Sequence, residues 1–186
     1  MSIMQLNIRT SFLLALLFSS WSSFGQLKLE KVNFKSWFGS EANSKSESVY
    51  CLLGNGFLRT ESASNTDSLI HSWTTRHPSA DVIPVFMLGP MFTAHPNSKL
   101  IYCWIVDGPD TLNIDLVKHG CIPGSTMLRP KTWDEMDEKQ KEVSYGNKKP
   151  AQEMFVDKDV FMTFISKVRE AEGEARRQKI GIWVDK

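Results

Sequence analysis

Cysteine and histidine have the widest chemical reach of the side chains in this sequence, and their spacing limits what they can do. Cys51, Cys103 and Cys121 follow none of the paired spacings of a zinc site and are too few for a disulfide scaffold. Cys51 and Cys103 fall in apolar, strand-like runs, where they could face each other across neighbouring strands or stay as buried thiols. The odd count leaves one thiol free or pairing elsewhere. A cysteine nucleophile would need a base to hold it as thiolate. His119 stands close to Cys121, but the turn around Gly120 separates them poorly for that purpose. His71, His77, His95 and His119 lack the i, i+4 pairing of a metal motif, and His77 and His95 each precede proline, so all four read as surface histidines. The run Asp107-Gly108-Pro109-Asp110-Thr111 brings two carboxylates into one turn. A Ca²⁺ ion takes about 6–8 oxygen ligands, so two acids are few, and a strand-to-helix turn with Thr111 as helix cap accounts for the pattern.

Composition narrows the field further. The chain has 186 residues, 41% hydrophobic and 23% charged, as expected of one globular domain held by an apolar core. Its net charge of +1 gives no strong pull toward nucleic acid or an anionic membrane. Trp37, Trp73 and Trp104 could offer stacking platforms for bases, but without interleaved basic residues core packing is the more frequent role of such aromatics. At the N-terminus, Arg9 precedes an apolar run from Ser11 to Phe18, followed by small residues up to Ser23 and Gly25. That is the pattern of a signal peptide, residues 1–25, cut before Gln26, and it predicts a secreted or periplasmic protein. The run is too short to span a bilayer, and no later segment is apolar enough to do so. Removing residues 1–25 takes away one cation and no acid, leaving 21 acidic side chains balanced by as many basic ones.

The elements that must position these groups divide the chain in two. Residues 26 to about 105 read as β-rich, with strands expected over Leu27–Phe34, Val49–Leu58 around a Gly54-Asn55-Gly56 turn, Val82–Leu88 and Leu100–Val106. Ser40–Ser48 and Thr60–Ser68 read as loops. Three helices follow. The first runs from Thr111 with Leu112, Leu116 and Val117 on one face, and Gly120 ends it. A second, charged helix opens on the Thr132/Glu135 capping-box pattern and runs from Trp133 to about Val143, a surface insertion near 131–149 packed through Trp133 and Met136. The last starts near Asp159 and carries Phe161, Phe164, Ile165, Val168, Ala171 and Ala175 on one buried stripe, with Gly181 at its end and Ile182-Trp183 anchoring the tail.

Two of these segments resemble a known family. Tyr102-Cys103-Trp104-Ile105-Val106-Asp107-Gly108 with Leu112-Asn113-Ile114-Asp115-Leu116-Val117-Lys118-His119-Gly120 is similar to the fifth barrel strand and following helix of the staphylococcal nuclease (thermonuclease-like) family. Glu172-Gly173-Glu174-Ala175-Arg176-Arg177-Gln178-Lys179-Ile180-Gly181-Ile182-Trp183 is similar to that family's closing helix. The resemblance implies an α+β fold, a five-stranded β-barrel of oligonucleotide-binding (OB) type packed with about three helices, forming a single domain over residues 26–186.

Active members of the family are calcium-dependent phosphodiesterases. Carboxylates hold the ion and orient water, and two arginines grip the phosphoryl oxygens. The corresponding stretch here departs from that pattern. Val49 to Arg59 holds no acid, no Asp-x-Pro-Glu follows, and Arg59 and Arg76 are the only arginines between Gln26 and Leu128. The family's second arginine position falls on Lys99, which keeps the charge without the planar fork; an ordinary solvated lysine at a strand edge is the competing reading. The expectation is therefore an exported, catalytically degenerate domain acting as a binding or structural module, with no cofactor and with nucleic acid and protein both open as partners. The alternative is a secreted Ca²⁺-dependent nuclease taking its acids from Glu61, Asp67 or Asp81, with Lys99 as its electrophile.

Overall fold

The alternating run at Leu27–Phe34 forms two short strands, β1 (Leu27–Lys28) and β2 (Val32–Phe34), separated by one 3-10 turn at Leu29–Lys31. They open a computed structural model that describes residues 27–34, 36–41, 47–54, 62–90 and 97–185. The expected signal peptide lies outside the described residues, as do Asn55, Gly56, Arg59, Glu61 and His95. Six further strands follow: β3 (Phe38–Glu41), β4 (Ser48–Leu52), β5 (Asp81–Gly89), β6 (Lys99–Asp107), β7 (Asp110–Thr111) and β8 (Ala151–Met154). The helices are α1 (Thr66–Arg76), α2 (Leu112–Lys118), α3 (Glu138–Tyr145) and α4 (Lys158–Gln178).

The strand order β1-β5-β6-β4-β3-β2 closes on itself, because its two end strands are consecutive pieces of one segment. β4 and β6 pair in parallel; every other neighbouring pair in this order is antiparallel. With β1 and β2 taken as one broken strand, the ring has five members. The protein is thus α+β with a nearly closed, barrel-like sheet, an arrangement compatible with an OB-type barrel. β7 folds back on β6 through Gly108-Pro109, and β8 joins the edge of β5.

β6 is the central strand. Leu100 and Tyr102 through Val106 are all buried, as its continuous apolar run requires. One face packs under α4, where the Trp104 ring stacks on Phe164 at 4.3 Å and on Phe161 at 6.1 Å between centroids. The α4 stripe anticipated from sequence is buried at each of its six positions. Asp157 caps this helix, its carboxylate accepting the Val160 N–H at 2.9 Å.

α2 seals the end of the sheet through Asn113, which is fully buried. Its side-chain oxygen accepts the Ile105 N–H at 3.1 Å, and its amide donates to Leu53 O at 2.7 Å and Cys103 O at 3.3 Å. One amide thereby satisfies backbone groups just past the end of β4 and within β6, where the β4/β6 ladder gives out. Thr111 occupies the position before the helix, but its side chain makes no cap bond. Gly120 ends α2 at φ +63° and lies against Gly181. Ile182 N–H donates to Gly120 O at 2.8 Å, so the two segments that carry the family resemblance are in direct contact.

Several elements differ from the sequence expectation. α1 begins inside the expected Thr60–Ser68 loop, and it brings the helices among the described residues to four rather than three. Its buried anchors are only Thr66, Ile70 and Trp73, a narrow face hidden among Ser, Thr and Asn. β3 reaches into the expected Ser40–Ser48 loop. In the insertion, the Thr132/Glu135 capping box closes a single 3-10 turn, Trp133–Glu135. Met136 then turns extended, and a second capping box, Asp137 with Gln140, starts α3. No residue of α3 is buried, in keeping with a surface insertion. It docks through Trp133, whose ring meets Tyr145 and Lys141, and whose backbone N–H donates to Gln152 Oε1 of β8 at 2.7 Å.

Candidate binding surface at the barrel end

Strand register assembles the candidate surface. Ser48 of β4 stands opposite Lys99 of β6. The β3/β4 ladder runs through Ser40 opposite Val49, so its next step sets Glu41 beside Ser48. On the other side, Leu88 opposite Leu100 places Gly89 beside Lys99, and Gly89 is opposite Ala151 of β8. Val32, Glu41, Ser48, Lys99, Gly89 and Ala151 therefore form one row across the sheet, on a shared face. With strands about 4.8 Å apart, Glu41 and Lys99 are roughly 10 Å apart at their Cα atoms.

Tyr50 lies in the layer below this row. It is buried, and its hydroxyl donates to Glu41 Oε1 at 2.8 Å. Burial, then the hydrogen bond and repulsion from Glu41, push the phenol well above its usual range. Lys99 is exposed and opens its strand. A Cβ at Gly89 would press on the Ser98 carbonyl oxygen at 3.0 Å and make only ordinary contact with Lys99 Cγ at 3.6 Å, so the glycine accommodates the backbone entering β6.

This row carries one cation and one carboxylate, and has too few oxygens for a calcium ion. Glu41 and the Ser48 hydroxyl are its oxygen donors, against the roughly 6–8 that Ca²⁺ takes. Among the described residues no group of three His, Cys, Asp or Glu side chains could hold a metal. The acids considered for a nuclease do not gather here. Asp81 starts β5, which runs antiparallel to β6, so it lies opposite Val106 at the far end from Lys99 and pairs with Lys28 at 2.6 Å. Asp67 is exposed on the first turn of α1, and Glu61 lies outside the described residues.

The other candidate groups have structural duties. Asp107 belongs to the β6/β7 hairpin and accepts from His77 Nδ1 at 2.7 Å; Asp110 is exposed. His77 is thus not an ordinary surface histidine. It ends α1, stacks on Trp73 at 4.1 Å and ties that helix to β6. His71 is exposed. His119 is also exposed, and its Nδ1 lies 2.8 Å from Asp115 O, away from any role beside Cys121. Trp73 and Trp104 are core residues and Trp37 packs against the core, which leaves none of the three as an open stacking platform.

The thiols are inert by position. Cys51 stands opposite Tyr102, and Cys103 opposite Leu52. This one-residue offset sends their side chains to opposite faces, so the pairing across neighbouring strands does not occur. All three cysteines are buried, and none is in a disulfide. Burial raises the Cys103 thiol well above its usual range, reinforced by Cys51, and raises Cys121 despite an opposing hydrogen bond from Thr66. A raised thiol is the reverse of what a nucleophile needs.

Glu41, Tyr50 and Asn113 were not singled out by sequence reasoning. Glu41 sits in a polar stretch without strand alternation, and only the β3/β4 register brings it to Lys99. No family model matches the chain, and no curated protein matches it significantly.

Proposed function

We propose that this protein is an exported barrel of the staphylococcal-nuclease type that has lost the phosphodiesterase constellation and works as a non-catalytic binding or structural module. The observation that carries this reading is the row at the barrel end. It offers one cation, Lys99, and one carboxylate, Glu41, which already accepts the Tyr50 hydroxyl. The segments 42–46, 55–61 and 91–96, outside the described residues, contain a single acid among them, Glu61. That inventory, even with Glu47 next to Ser48 and Arg59 in the 55–61 segment, is short of a calcium cage and a pair of arginine forks, which supports the reading. The family assignment rests on the two quoted motifs, on their contact through Gly120 and Gly181, and on a strand order compatible with an OB barrel.

The test is incubation of the purified protein with single-stranded DNA, duplex DNA and RNA in the presence of Ca²⁺, with and without EDTA. The reading expects no cleavage in either condition. EDTA-sensitive cleavage would overturn it in favour of the second reading, a secreted Ca²⁺-dependent nuclease. The placement of Glu41 and Lys99 in one row favours that alternative, and it requires that Lys99→Ala abolish activity.

A further inference from the structure

We draw no further inference here: the strongest candidate, the Trp73–His77–Asp107 cluster where the end of α1 meets the β6/β7 hairpin, is accounted for as a tie between helix and sheet, and among the described residues no third metal-ligating group joins it to say what it would take.

Discussion

Gly120 and Gly181 meet backbone to backbone: both hold positive φ, and a Cβ on either would overlap the main chain of the other segment. The contact joins the end of α2 to the tail beyond α4, two segments distant in sequence.

Gly181→Ala is expected to be costly on two counts, the left-handed backbone and the steric overlap. Together they predict a loss of about 3 kcal/mol in urea denaturation. Gly108→Ala is the control. Its φ is +57°, but nothing lies within 4 Å of an added Cβ, so only the backbone term of about 1 kcal/mol remains. Equal losses in the two variants would show that the close approach contributes nothing.

Asn113→Ala removes three hydrogen bonds and leaves the Ile105 N–H and Leu53 carbonyl buried without the amide. At about 1–3 kcal/mol for each orphaned group, the expected loss is about 3 kcal/mol or more. Asn113→Asp retains the acceptor for Ile105 but points oxygen at two carbonyls, so it should be no milder. Denaturation midpoints measure both; an Asp variant as stable as the parent would refute the assigned amide orientation.

The Arg129–Glu135 pair predicts a pH dependence. Arg129 grips both carboxylate oxygens, at 2.6 and 2.7 Å, and holds the Glu135 carboxyl down to about 2. Because the folded value lies below the unfolded one, the pair's contribution is present above pH 4.5 and disappears as pH falls toward about 2. Glu135 is half exposed, so the contribution stays below about 1 kcal/mol. Stability of the parent and of Glu135→Gln, followed from pH 6 to 2, should converge at the acid end.

Lys99 sets the expected response to polyanions. If an oligonucleotide binds at the barrel end, Lys99→Ala should reduce the slope of log K against log salt by about one, the counterion release of a single phosphate contact. Binding that survives with an unchanged slope would place the nucleic acid elsewhere. No salt-dependent binding at all would favour protein contact as the role of the barrel.

Those predictions rest on features that were unequally legible in the sequence. The strands Val82–Leu88 and Leu100–Val106 and the α4 stripe were plain because long apolar runs and i, i+3, i+4 spacing report burial directly. α1 was obscured because Ile70 and Trp73 give it a narrow apolar face among residues that also suit loops. The site was less legible still. Lys99 was reached through a resemblance, whereas Glu41 and Tyr50 depend on which strands are neighbours and on a register that no local pattern encodes. The same one-residue register separates Cys51 from Cys103.

Strand β5 is bordered by β6 along one edge and, along the other, by β1 at its start and β8 at its end. During synthesis the ring pieces β1 to β6 are available long before β8 and α4. Until then the Phe86–Gly89 edge has no partner on that side and the Trp104 face has no helix over it. A bare strand edge beside an apolar sheet face is a template for intermolecular pairing. β8 and α4 thus act as late guards: folding released before Met154 emerges would be slow, dominated by distant contacts, and prone to aggregate.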